Sequence, residues 1–245
     1  MCGFEMSHYE QFYVQPQDVT ATGFTLREQE FQHAVRVCRK RVGEWLVAVD
    51  GYGHRYQGPI TAIESDRLQV SLHQLDSGFA EPQLSLTLAV ALLKGSHFEQ
   101  VVEQGTEVGV SCFQPLITER TLMEPSPHRW QRWQEKARSA MKQCGRSLCP
   151  VIHQPIALAA FLPTLSGRLC LIADAAAEKP CDLPLNGGPV VVMIGPEGGF
   201  TEAEVASSLA QGAVPLFLGK RRLRSETAAL VAAVRVLAAA GRYGE

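Results

Sequence analysis

Two stretches near the carboxyl end carry the residue types from which a ligand site can be made. In VVVMIGPEGGFTEAEV (190–205) an apolar run breaks on Gly195-Pro196-Glu197-Gly198-Gly199 and gives way to a helical pattern. In FLGKRRLRSETAAL (217–230) a shorter apolar run breaks on Gly219, passes through Lys220, Arg221, Arg222 and Arg224, and again turns helical. Glycine lets a backbone approach a ligand closely and adopt conformations closed to other residues. A strand that ends in such a turn and leads into a helix is how α/β proteins build a site at the carboxyl edge of a sheet.

The commonest ligands of such turns do not fit. The spacing is not that of the dinucleotide fingerprint Gly-x-Gly-x-x-Gly, and a rigid proline stands inside it; there is no Gly-Lys-Ser/Thr phosphate loop either. The carboxylate of Glu197 would repel a pyrophosphate. A ligand carrying positive charge and needing backbone hydrogen bonds fits better. S-adenosylmethionine, a sulfonium with an adenine and no phosphate, is of that kind.

The charge distribution adds a second clue. The formal net charge is -2, yet the cations are clustered. Arg36, Arg39, Lys40 and Arg41 stand together, six cations between Arg129 and Arg146 face Glu135 alone, and the third cluster lies in the second glycine turn. Local basic patches bind phosphates whatever the net charge, because attraction decays within a Debye length. Seven scattered cysteines without a Cys-x-x-Cys pair argue against a disulfide framework or zinc site and for a reducing cytoplasm. The seven histidines have no metal-ligand spacing, so no metal is expected. No apolar run is long enough to span a bilayer, and the first residues do not read as a signal peptide.

The elements that must position these turns follow from periodicity. At 245 residues, 46% of them hydrophobic and 20% charged, the chain can bury one large or two modest cores. Up to about residue 81 it reads as short, glycine-punctuated strands, the pattern of a small β-barrel. Within that part Thr25 and Glu28 predict a capping box for a helix running to about Arg41. DSGFAEPQ (76–83) reads as a linker. Beyond it strands alternate with helices, which predicts an open, mostly parallel sheet. Ser126-Pro127 should open a helix carrying Trp130, Trp133, Ala137 and Met141 on one stripe and stopping at Gly145. Thr201 with Glu204 should cap another helix, and Ser225 should begin the last.

Taken together, Gly195-Pro196-Glu197-Gly198-Gly199 and Leu218-Gly219-x-Arg221-x-Leu223-Arg224-x-Glu226-Thr227-Ala228 resemble the SPOUT methyltransferases, and among them the bacterial family that methylates N3 of a uridine in 16S ribosomal RNA. LLKGSHFEQVVEQGTEVGV (92–110), PLITERT (115–121) and QCGRSLCP (143–150) extend the likeness, and HAVRV and VGEWLVAVDG match more loosely. The resemblance implies a PUA-like RNA-binding β-barrel over 1–81 and a SPOUT α/β domain over 82–245, with the two glycine turns inside a trefoil knot around a bent S-adenosylmethionine. It also implies a homodimer acting on ribosomal RNA or the small ribosomal subunit. Lys142 and Arg222 depart from the family pattern, which commonly has an acid and an aliphatic residue at those places. A different RNA target, such as transfer RNA, and a non-catalytic RNA-binding assembly factor remain open alternatives.

Roles follow from this reading. Ile194, Gly195, Pro196, Glu197, Gly198, Gly199 and Gly219 should frame the cofactor. Leu218, Leu223 and Ala228 should wall its adenine, and Ile172, Ala173 and Asp174 should close the pocket, with Arg224, Glu226 and Thr227 beside it. N3 of uridine carries a proton on the Watson–Crick edge, so the base must be unpaired or flipped and the proton must leave. Arg224 is the candidate to stabilise the developing anion, and Glu197 or Glu226 the candidate to take the proton. Arg36, Arg39, Lys94, Arg120 and Arg146 are candidates for RNA phosphates.

Overall fold

The computed structural model describes residues 10–173, 183, 185 and 187–241. These divide into two compact units. The first comprises the residues up to Glu81 together with Arg138–Cys149, and the second Pro82–Ala137 together with Pro150 onward.

The first unit is a six-stranded sheet of β1 (Phe12–Tyr13), β2 (Gly23–Arg27), β3 (Trp45–Val49), β4 (His54–Ile63), β5 (Arg67–Ser71) and β6 (Gln74–Ser77). Its order is β1-β3-β4-β5-β2, with β6 also on β4. The pairs are antiparallel except β1 on β3, and the path does not join its end strands into a ring among the described residues. The ten-residue β4 serves three partners because its register shifts between Ile60 and Ala62, a bulge of the kind that bends a strand from one partner to the next. Gly58 is forced by this crowding, since a Cβ there would lie 1.7 Å from the Ser71 carbonyl oxygen. Phe12, Phe24, Leu26, Leu46, Ile60 and Leu68 fill the core.

The helix that follows β2 differs from expectation. It is α1 (Glu28–Gln32), continued by a wide turn over His33–Val37, and it ends there rather than near Arg41. Thr25 cannot cap it because Thr25 lies inside β2, paired with Gln69; Glu28 instead turns the chain at a positive φ of 48°.

The second unit holds β7 (Leu86–Ala91), α2 (His97–Val108), β8 (Cys112–Ile117), the part of α3 (Pro127–Cys144) up to Ala137, β9 (Val151–Ile152), β10 (Ile156–Ala157), α4 (Leu158–Phe161), β11 (Leu169–Ala173), β12 (Val190–Ile194), α5 (Glu202–Ala210), β13 (Val214–Leu216) and α6 (Ser225–Ala239). All seven strands run parallel in the order β10-β8-β7-β12-β11-β13, with β9 on β8. Both faces of a parallel sheet are covered, which is why β12 is VVVMI and buried throughout. Cys170, Ile172, Val191 and Met193 pack against Leu158, Phe161, Leu162 and Leu165, while α6 packs on α2, β7 and β12.

Helix α3 begins at Pro127, whose missing N–H costs nothing in a first turn. It stops before Gly145, which takes φ 85°. Trp133, Ala137 and Met141 are buried, and Trp133 stacks on Phe98 with ring centroids 4.4 Å apart. Trp130 is half-buried and its Nε1 donates to the Ile152 carbonyl. The tryptophan stripe is therefore core. Lys142 pairs with Glu30, whose other carboxylate oxygen accepts the Tyr13 N–H.

Glu81 explains why the segment after α3 groups with the first unit. Its carboxylate accepts from Nε and Nη2 of Arg146 at 3.0 and 2.7 Å and from the N–H groups of Ser147 and Leu148 at 3.0 and 2.8 Å. Arg146 is 2% exposed. It is thus a buried structural partner and not an RNA-phosphate residue, a correction to the reading from sequence. Glu81→Ala, which breaks this buried ion pair, is expected to lower the unfolding free energy by about 3–5 kcal/mol. Denaturant titration checks this, and a loss within error of zero would contradict the assignment.

Candidate active site

Strand register decides where the glycine turns meet. Ala173 of β11 lies level with Ile194 of β12 and with Leu216 of β13, so three loops leave the sheet at one height. Below them is a cavity of about 680 Å³, lined by Ala173, Ile194, Gly195, Pro196, Glu197, Gly198, Gly199, Leu216, Leu218, Gly219, Leu223 and Ala228, among others. The two turns, separated in sequence, wall a single recess.

Local geometry accounts for the glycines that matter. Gly199 has φ 71° and closes a tight turn by donating its N–H to the Pro196 carbonyl at 2.8 Å. A Cβ on Gly195 would lie 2.9 Å from the Phe200 nitrogen, so that turn could not fold back with any other residue.

Neighbouring loops hold the first turn in place. After β7, the Lys94 N–H donates to Oε1 of Glu197 at 2.9 Å. After β8, Nη1 of Arg120 donates to the carbonyls of Gly198 and Phe200 at 2.7 and 3.3 Å. After β13, Nη2 of Arg222 approaches the Glu197 carbonyl at 3.4 Å. Arg235 of α6 similarly donates to the Phe217 carbonyl. Glu204 couples two of these loops: one oxygen accepts the Thr201 N–H in a reciprocal capping box with α5, and the other accepts the Glu119 N–H, both at 2.8 Å.

The cavity wall is electropositive. Arg120, Lys220, Arg221 and Arg222 line it against the single carboxylate of Glu197. Leu218, Leu223, Ala228 and Ile194 provide apolar wall, and the peptide groups of the glycine turns provide hydrogen-bonding edges. Such a recess can hold a flat apolar group together with a charged, hydrogen-bonding tail.

Several residues singled out from the sequence lie elsewhere. Ile172 is fully buried in the core beneath the cavity, because alternate residues of a strand face opposite sides. Asp174 lies outside the described residues. Arg224 and Thr227 are exposed at the start of α6 and do not line the cavity. Glu226 is 8% exposed, is likewise absent from the lining, and has Oε1 3.5 Å from Nδ1 of His97 on α2. It is thus turned towards α2, while Glu197 is the carboxylate that lines the cavity. Arg36 and Arg39 are exposed in the first unit, Lys94 is exposed, and Arg120 belongs to the cavity wall.

Phe200, Leu216, Phe217 and Ser225 also line the recess but were not read from sequence, and Lys220, Arg221 and Arg222, read there as a cationic cluster of the second turn, prove to be part of its wall. All sit within or beside the two motifs, so contiguity was the available signal. For Arg120 there was none, since only strand order brings its loop to the turn.

In the first unit Glu10, His33 and Cys38 offer donor atoms within 4.8 Å of one another. The Glu10 carboxylate is already engaged: Sγ of Cys38 donates to its Oε1, and Lys40 pairs with its Oε2. Burial and that carboxylate push the Cys38 thiol up to about 11. Cys38, Cys112, Cys144, Cys149 and Cys170 form no disulfide among the described residues. No helix among the described residues is long and apolar enough to cross a membrane.

The site and fold define an RNA methyltransferase: the RNA methyltransferase domain model matches residues 80–237, the RNA methyltransferase PUA domain model matches 26–72, and the chain belongs to this family. In particular, its curated relatives are ribosomal RNA small subunit methyltransferases E. The one from Synechocystis sp. is 33% identical over 233 residues, covering 91% of this chain and 75% of the relative. The one from Aquifex aeolicus is 31% identical, covering 86% and 92%. The crystal structure of the Neisseria gonorrhoeae ribosomal RNA small subunit methyltransferase E bound to S-adenosyl methionine superposes with a TM-score of 0.85 at 29% identity, over 94% of this chain and 98% of that one. A Legionella pneumophila methyltransferase structure with bound S-adenosylmethionine gives 0.82 at 32% identity, over 94% and 97%.

The double role of Glu204 makes a separable prediction. Glu204→Ala is expected to destabilise the protein by about 1–2 kcal/mol and to speed amide exchange at both Thr201 and Glu119. Thr201→Ala should weaken the cap while leaving exchange at Glu119 slow. Equal protection of Glu119 in wild type and Glu204→Ala would refute the coupling.

Proposed function

We propose that this chain uses S-adenosylmethionine to methylate N3 of a specific uridine in 16S ribosomal RNA. The observation that carries the proposal is the convergence of both glycine turns on one cavity at the level ends of β11, β12 and β13. The residues present fit the cofactor. Leu218, Leu223 and Ala228 offer an apolar wall for adenine, the glycine turns offer peptide groups without side chains in the way, and the cations can meet the methionine carboxylate. Glu197 supplies negative charge for the sulfonium. When bound, the cofactor supplies an electrophilic methyl group.

The protein's own contribution is placement and proton handling. In-line displacement needs the acceptor nitrogen held at attack distance, and most of the acceleration can come from that positioning. Glu197 lines the cavity while Glu226 is turned towards His97, so Glu197 is the better placed of the two carboxylates to accept the N3 proton. One of its oxygens is held by the Lys94 N–H. Arg224 stands between Leu223 and Ser225 of the cavity wall, and its exposed guanidinium is assigned to the uridine anion as it forms. The first unit, with exposed Arg36 and Arg39, is the proposed RNA-binding domain. By resemblance, the second carries a trefoil knot, works as a homodimer and resides in the cytoplasm.

Methyl transfer to small-subunit RNA followed by nucleoside mass spectrometry tests the function. 3-Methyluridine is the expected product, and no transfer, or a different methylated nucleoside, would overturn the reading. Gly199→Val should abolish S-adenosylmethionine binding in calorimetry while leaving a folded protein, because valine is strained at φ 71° and projects into open space. In single-turnover reactions at saturating RNA and cofactor, Glu197→Gln should slow methyl transfer by roughly 10²–10⁴. Arg224→Ala should slow the same step, and Arg224→Lys should also be impaired because it lacks the planar fork. A wild-type single-turnover rate for either residue's variant would remove that residue from the chemistry.

A further inference from the structure

The loops after β7 and β8 form a second recess beside the cavity. It is an open groove of about 450 Å³ whose walls include Lys94, Leu122, Met123, Glu124, Pro125 and Arg129. Strand order accounts for its position. β8, β7 and β12 are adjacent and parallel, so the loops that follow them leave the same edge side by side. The two recesses meet at Lys94, which lines the groove and whose N–H donates to Glu197 of the cavity wall.

The lining is chemically mixed in a particular way. Leu122 is 74% exposed, and with Met123 and Pro125 it forms an apolar surface open to solvent. Along α3, Arg132 and Lys136 are paired with Glu99 and Glu103. Arg129 and Lys94 are exposed and have no ion-pair partner among the described residues. A groove lined by an apolar face and two unpaired cations suits a ligand that couples a flat apolar group to an anion, and each nucleotide of a single strand is such a ligand.

We infer that this groove receives a nucleotide of the substrate strand adjoining the methylated uridine, with its phosphate between Lys94 and Arg129 and its base against Leu122 and Met123. The inference rests on the RNA methyltransferase reading and adds a subsite to it. The single carboxylate of the groove, Glu124, is suited to accept an N–H from the base edge. A target base drawn out of the stack swings on its backbone unless a neighbour is held. Gripping the adjacent nucleotide at the shared border sets the direction from which N3 approaches the cavity.

The test uses the full chain and a short single-stranded RNA carrying the substrate sequence, with 4-thiouridine placed next to the target. Photocrosslinking is expected to label Leu122 or Met123. Lys94→Ala combined with Arg129→Ala should weaken RNA binding by about tenfold and reduce the log–log salt slope by about 0.7 per lost contact. Leu122→Glu should weaken binding comparably, and S-adenosylmethionine affinity should be unchanged in both variants. Wild-type RNA affinity and salt slope in these variants, or crosslinks that fall elsewhere, would overturn the proposal. A change in oligomeric state of Leu122→Glu on size exclusion would also overturn it, by making the groove a contact between copies of the chain. If the wild-type protein neither binds RNA nor transfers a methyl group, the underlying reading fails first and the subsite falls with it. Transfer by the wild type with silent groove variants rejects the subsite alone.

Discussion

The site depends on one constraint, the register of a parallel sheet. Because Val90, Ile194, Ala173 and Leu216 lie at one level across four adjacent strands, every loop that follows them emerges at the same edge. Parallel strands cannot be joined by tight hairpins, so each connection must cross over and return, leaving the carboxyl ends free to carry turns. A shift of one residue in β12 would exchange the side chains on its two faces and move Gly195 out of line with Leu216. Continuous apolar runs such as LTLAVA and VVVMI let both faces of these central strands be buried, while the packing of individual side chains fixes which residue stands at which level.

On this frame the loops are joined by hydrogen bonds that reach across the sequence. Lys94, Arg120 and Arg222 come from three separate loops and all contact the turn over 195–199, and Glu204 of the helix that follows it accepts from Glu119 of one of those loops. The glycine turn is therefore held through its carbonyls and through Glu197, while its open side faces the cavity. Preorganisation of this kind reduces the ordering cost when a ligand binds. In the first unit Glu81 does comparable work, gathering four donors from Arg146–Leu148 around one carboxylate.

The two departures from the family pattern acquire physical meanings here. Lys142 is matched by Glu30, so a cation where an acid is common is absorbed by an ion pair within the first unit. Arg222 spans from the second glycine turn to the Glu197 carbonyl, adding a link between the turns that an aliphatic side chain could not make.

How much of this was readable from the chain follows from where each signal resides. The parallel sheet, the α5 capping box, the start of α3 at Pro127 and its stop at Gly145 are local, and local rules of periodicity and capping locate them. The glycine motifs announced a ligand turn and, through their resemblance, its class. The false capping box at Thr25 shows the limit: Thr-x-x-Glu is a helix signal only when no partner strand claims the threonine, and Gln69 does. The fates of the charged residues were equally hidden. Arg146, Arg120 and Arg36 look alike in sequence, yet one is buried on Glu81, one lies over a glycine turn and one is exposed. By itself the sequence determined the elements, the turns and the kind of ligand they suit, because those depend on neighbours within a few residues. Tertiary structure alone decided which cations face the cavity, which carboxylate stands beside it and which loop adjoins which, because those depend on strand order and register, and these pair residues dozens of positions apart.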